Sequence, residues 1–231
     1  MQYHFQNTII INLGGSVIFP DEINGKLLLD WRNCIERFSK HYRFVIVVGG
    51  GKLARRYQEA AQEARDITRD ESDWLGIYAT RANAKLVQIA FGKRADAELI
   101  DCKEKIKPLT KRVTIACGWE PGSSTDYISA LLAQAYDAKA IIMAGKPAFV
   151  YSKNPDQFVD ARPFRELSWA EYWNIIPHKW APGINAPIDP VCAKFCRANQ
   201  ISAIVVDGRN IKNIELLLKG EEFEGTIVAN R

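Results

Sequence analysis

Apolar residues in this chain fall into two patterns: short runs, and longer stretches with apolar positions three to four apart. Thr8 to Leu13 (TIIINL) is a short run, interrupted only by Asn12, and predicts a buried strand, ended by Gly14-Gly15. Phe44 to Val48 (FVIVV) is a second, ended by Gly49-Gly50-Gly51. Further strands are expected at 98–100, 113–117, 140–143, 201–206 and 226–228. Helical spacing marks about 22–39, 53–64, 125–137, 169–175, 190–199 and 210–219, and a long helix over 73–91 carries Leu75, Tyr78, Ala82 and Leu86 on one side. Ser168 with Glu171 reads as a capping box, and Asp189-Pro190 as an N-cap followed by proline at the first helical position. The basic stretch 103–112 reads as a solvated connection, 145–167 as an irregular excursion, and Pro177, Pro182, Gly183 and Pro187 punctuate a later loop.

Strand-then-helix alternation argues for an α/β fold with a mostly parallel sheet covered on both faces. Ligands of such sheets bind beyond the carboxyl ends of the strands, where three turns here are rich in glycine. Gly14-Gly15-Ser16 lets backbone approach a bulky anion. Gly49-Gly50-Gly51 does so at a helix start, where N–H groups favour negative charge, and Lys52, Arg55 and Arg56 follow. Either turn alone is equally explained as a tight strand-to-helix connection. The third turn, Pro121 to Asp126, offers more hydroxyls than one N-cap needs, with a carboxylate beside them.

Composition narrows the classes. The chain has 231 residues, 47% hydrophobic and 25% charged, which suits a folded domain with a sizeable core. The formal net charge of +4 is too weak to argue for nucleic acid but suits a pocket for anions. Nothing spans a membrane or resembles a signal peptide, so a cytoplasmic location is expected. The five cysteines are scattered and read as free thiols; Cys192 and Cys196 share a helix face as packing residues. His4, His41 and His178 are isolated, which argues against a histidine triad or zinc site, and no metal-binding residues are expected. P-loop, GxGxxG, HExxH, GxSxG and CxxC motifs are absent. Trp119, Trp169, Trp173 and Trp180 read as core or interface anchors.

In order, INLGGSVIF, VVGGGKLARRY, DWLGIYATRANA, GWEPGSSTDYISALLA, INAPIDPVCAK and GTIV resemble the amino acid kinase superfamily, in its uridylate (UMP) kinase branch, over nearly the whole chain. Where isopentenyl phosphate kinases usually carry a histidine, this chain has Lys52-Leu53-Ala54-Arg55. The resemblance implies a three-layer αβα sandwich forming one domain over 1–231, with an acceptor half to about 140 and a donor half from about 141. It also implies phosphoryl transfer from ATP to UMP with Mg²⁺, and a homo-oligomer, most often a hexamer, with dimer contacts on the long helix. Gly14, Gly15 and Ser16 would cradle the transferred phosphoryl group. Gly50, Gly51 and Arg55 would hold the UMP phosphate, and Asp73 the ribose. Thr125 and Asp126 would stand beside the acceptor, with Asp126 organising the catalytic centre. Lys146 and Tyr151 would meet the donor nucleotide.

Two positions depart from the family pattern. Asn12 stands where a lysine is common, and the donor loop VDGVY reads Pro147-Ala148-Phe149-Val150-Tyr151. The loop change leaves open a catalytically weak or inactive nucleotide-binding or regulatory homologue. An oxyanion-storage relative is a third, more distant alternative.

Overall fold

The computed structural model describes residues 1–178 and 186–230. In chain order the elements are β1 (Thr8–Leu13), α1 (Gly15–Ile18), α2 (Gly25–Phe38), β2 (Arg43–Val48), α3 (Gly51–Ala64), α4 (Arg69–Phe91), β3 (Val113–Ala116), α5 (Thr125–Ala135), β4 (Ala140–Gly145), β5 (Val150–Tyr151), β6 (Pro163–Phe164), β7 (Glu166–Ser168), α6 (Trp169–Ile175), α7 (Pro190–Ala198), β8 (Ser202–Asp207), α8 (Ile211–Lys219) and β9 (Thr226–Ala229). Seven strands form one sheet in the order β3-β2-β1-β4-β8-β9-β7, and β5 pairs with β6 in a small hairpin. All pairs in the large sheet are parallel except β8 with β9.

Period-two alternation divides the core. Ile9, Ile11 and Leu13 of β1 pack with Trp31, Phe44 and Phe91 on the face covered by α2, α4 and α8. Ile10 packs with Val45, Ile128, Ile141 and Tyr172 on the face covered by α5, α6 and α7. Asn12, two residues after Ile10, therefore points toward α5. Cys192 and Cys196 are buried on that second face, with sulfurs 3.8 Å apart. Trp119 and Trp169 are buried, their indole N–H groups donating to the Ile100 and Ile201 carbonyls. Trp173 stacks on His178 at 4.8 Å.

Several sequence expectations need correction. The strand expected at 98–100 is absent: Ala95 and Ile100 make single bridges to Val113 and Ala116, and the Asp96 carboxylate takes the Glu98 N–H that a ladder would use. The long helix begins at Arg69, because Thr68 and Glu71 form a capping box that the apolar spacing does not report. The helix expected from 22 begins at Gly25, capped by Asn24. The one expected from 53 begins at Gly51. The excursion 145–167 contains the β5–β6 hairpin and leads into β7 at the sheet edge. The Ser168–Glu171 capping box and the Asp189 cap with Pro190 form as expected. Trp180, Pro182, Gly183 and the opening Ile184-Asn185 of INAPIDPVCAK lie outside the described residues.

Candidate active site

The turn after β1 and the turn after β2 lock together through backbone. A Cβ on Gly15 would stand 2.1 Å from the Gly51 nitrogen and 2.6 Å from the Gly49 carbonyl oxygen. A Cβ on Gly51, whose φ is +62°, would meet Gly15 carbonyl carbon at 2.3 Å. These glycines let two turns approach more closely than side chains permit. The joint leaves the first N–H groups of α1 and α3 without intrahelical acceptors, side by side at the strand ends.

Helix α4 holds this joint from below. The Asn83 amide donates to the Gly49 and Gly50 carbonyls at 2.9 and 3.1 Å. The Thr80 hydroxyl accepts from Gly118 N–H at 2.8 Å and donates to the Ile77 carbonyl, tying in the loop after β3. Arg81 donates to the Asp101 and Trp119 carbonyls and lies near the rings of Trp74 and Tyr78. Sequence reasoning missed Thr80 and Asn83. Their signal is in DWLGIYATRANA: polar residues three apart on the side that also carries Ile77 and Ala84, both buried.

At the centre, Asn12 at the end of β1 meets Asp126 in the first turn of α5. The Asn12 amide donates to Asp126 Oδ1 at 2.7 Å, and the Asp189 backbone N–H donates to Asp126 Oδ2 at 3.0 Å. Asp189 carries more than the capping role read from sequence. Its Oδ1 caps α7, accepting from Val191 and Cys192 N–H, while Oδ2 accepts from the Ser124 hydroxyl. Ser124 in turn caps α5. Burial, and then the Asp189 charge, raise the Asp126 carboxyl to about 7 against the two hydrogen bonds that favour its ionised form.

Asn12, Gly14, Asp126, Lys146 and Tyr151 line one pocket of about 610 Å³ at the carboxyl ends of β1, β4 and β8. Ala148 and Phe149 of the altered loop are in its wall. Phe149 packs edge-on to Tyr151 and beneath the Arg165 guanidinium, with an ordinary negative φ, so the glycine-like turn of the family pattern is not formed there. Gly15, Ser16, Gly50, Gly51, Arg55, Asp73 and Thr125 are not in that wall among the described residues. Gly50 and Gly51 sit at the glycine joint, and Arg55 is exposed on α3. Asp73 accepts from Gly122 N–H at 2.9 Å and so holds the loop that leads to Thr125. Lys52 finds an internal anion, Asp21, whose carboxyl the ammonium lowers below its usual range. Among the described residues no group of three or more His, Cys, Asp or Glu could hold a metal ion, and no helix is long and apolar enough to cross a membrane.

Residues 7–207 match the model of the amino acid kinase family. The chain belongs to that family. This family member is 31% identical to the uridylate kinase of Hyperthermus butylicus over 95% of its own length and 97% of the relative's. It is 33% identical to that of Methanocorpusculum labreanum over 96% and 95%. Its fold superposes on the crystal structure of uridylate kinase from Archaeoglobus fulgidus with a TM-score of 0.83 at 31% identity, covering 97% of this chain and 100% of the other. The UMP kinase of Bacillus anthracis shares the fold at a TM-score of 0.77 and 19% identity, covering 99% and 97%.

Proposed function

We propose that this protein transfers a phosphoryl group from ATP to UMP, giving UDP. The observation that carries the reading is the convergence of the Gly14 turn, the Asn12–Asp126 pair and Lys146 on one pocket, beside the glycine joint at Gly50 and Gly51. Relatives named uridylate kinase that align along the whole chain support it.

Phosphoryl transfer asks the protein for in-line positioning and neutralisation of spreading charge. Backbone N–H groups at Gly15 and Ser16 are fixed in place to meet phosphoryl oxygens without reorganisation. The Gly50-Gly51 turn and Arg55 take the UMP phosphate, Asp73 the ribose, and Thr125 positions the acceptor. Lys146 and Tyr151 face the donor nucleotide. UMP phosphate is already ionised near neutral pH, so the site needs no strong base. Asn12 and Asp126 hold the centre in one geometry.

Mg²⁺ fits as an ion carried by the nucleotide. The Asp126 carboxyl, partnered by an amide and a backbone N–H, is an oxygen donor of the kind this hard cation prefers, and substrate phosphates complete such a shell. When bound, Mg²⁺ offsets charge on the phosphate oxygens. The reading extends to an acceptor half up to about residue 140 and a donor half beyond it, and to a cytoplasmic homohexamer whose partners are UMP and ATP. The direct test is a coupled assay of ADP release with UMP, CMP, AMP and no acceptor. UMP-dependent release supports the reading. Release equal in all four arms, or none in any, rejects it.

A further inference from the structure

The turn after β8 places a cation in the donor pocket that sequence motifs did not single out. Arg209 lines the same pocket as Asn12, Asp126 and Lys146. Its guanidinium is held in one plane. Nε and Nη2 donate to the two Asp207 carboxylate oxygens at 2.8 and 2.7 Å, and Nη2 also donates to the Lys146 carbonyl at 3.3 Å. The backbone beneath is equally fixed. Arg209 N–H donates to Asp207 Oδ1, Gly208 N–H to the Gly145 carbonyl, and the Trp31 indole N–H to the Gly208 carbonyl.

A guanidinium carries five N–H donors. Asp207 and the Lys146 carbonyl occupy those on Nε and Nη2, and the Nη1 edge has no hydrogen-bond partner among the described residues. The side chain remains 51% exposed although its orientation is set. The two N–H groups left on Nη1 are held in a fixed plane and can each donate a charge-assisted hydrogen bond to a phosphate oxygen. The need for such donors follows from the pocket floor. Asn12 is neutral and its amide is committed to Asp126, so a triphosphate has to find its donors in the walls, where Arg209, ion-paired with Asp207, still offers the N–H groups of Nη1.

We infer that Arg209 is a donor-binding residue whose Nη1 edge holds the polyphosphate chain of the phosphoryl donor, next to Lys146. The inference rests on the phosphoryl-transfer reading above and adds a residue to it. Asp207 and the Lys146 carbonyl act as positioning groups for that edge. The adenosine moiety does not depend on Arg209.

The test is calorimetric titration of wild type, Arg209→Ala and Arg209→Lys with Mg-ATP, inorganic tripolyphosphate and adenosine, alongside thermal midpoints and UMP affinity. Losing a charge-assisted contact weakens binding roughly ten- to hundredfold. That loss is expected for Arg209→Ala with both ATP and tripolyphosphate, with adenosine and UMP binding unchanged. Arg209→Lys, which keeps the charge but not the Nη1 donors held in place by Asp207, should fall between. A variant that melts earlier but binds tripolyphosphate as wild type does makes Arg209 a structural brace and overturns the inference. Equal loss for all ligands, or no tripolyphosphate binding by the wild type, overturns it too. Arg209-dependent tripolyphosphate binding in a protein that fails to phosphorylate UMP would leave the inference standing and sink the choice of acceptor.

Discussion

Asp126→Asn should make the protein more stable at pH 8 while making it a poorer catalyst. The folded chain raises this carboxyl from its ordinary value of 3.8 to about 7, chiefly by burial and secondly by the Asp189 charge. The folded state therefore holds a proton that the unfolded state releases between those pH values. Unfolding free energy falls as pH rises through that window, and the cost is fully present above about pH 7. At about 1.4 kcal/mol per pKa unit the ceiling is ~4 kcal/mol. The carboxyl faces an open pocket on one side, where water screens it, so about 1–2 kcal/mol is the expected effect. Asparagine keeps the shape and both contacts. Its oxygen accepts from Asp189 N–H, and its amide donates to Asn12 once the Asn12 side chain is turned over. Urea denaturation of both proteins at pH 4, 6 and 8, followed by tryptophan fluorescence, isolates the one group that differs. The variant's advantage should be near zero at pH 4 and grow toward pH 8, while UMP turnover drops with little change in UMP affinity. A variant less stable than wild type at pH 8, or a difference that ignores pH, would falsify the argument.

Gly15→Ala puts a methyl group 2.1 Å from the Gly51 nitrogen, so it should cost about 3 kcal/mol or more, read as a collapse of the thermal midpoint. Asn83→Ala removes both amide contacts to the Gly49 and Gly50 carbonyls and should cost about 1–3 kcal/mol, with KM for UMP rising more than KM for ATP; equal rises would place Asn83 outside the acceptor side. Ala148→Asp with Phe149→Gly brings back the acid and the glycine of the family pattern, though not its first residue, and gives up the ring contacts to Tyr151 and Arg165, so ATP should bind more tightly at about 1–2 kcal/mol lower stability; unchanged ATP affinity would show the loop departure to be neutral. Light scattering at micromolar concentration should give a homohexamer, and a monomer there contradicts the oligomer expected from the resemblance.

The pocket floor rests on hydrogen bonds that bridge long stretches of sequence. Asn12 reaches Asp126, Asp126 receives Asp189, and Asp189 receives the hydroxyl of Ser124. Each member also ends or begins an element: the strand end of β1, the first turn of α5 and the N-cap of α7. A displacement of either helix start would therefore be felt at the pocket floor.

The sequence by itself determined the alternation of buried strands and amphipathic helices, the helix starts that carry a local cap such as Ser168 or Asp189, and the glycine turns at strand ends. These are local matters: period, capping chemistry and freedom of φ are decided within a few residues. Even there, apolar spacing misplaced the start of α4, since Thr68 and Glu71 set it through polar contacts that periodicity does not register. Tertiary structure alone decided that Gly15 and Gly51 touch, that Thr80 and Asn83 hold the two turns, and that Asp189 serves both a helix cap and Asp126. It also decided that Arg209 shares a pocket wall with Asn12. Strand order brings β1, β4 and β8 side by side although more than a hundred residues separate the first from the others in sequence. Contacts between such strand ends depend on that order and on side-chain direction across the sheet, and no short window of sequence encodes either.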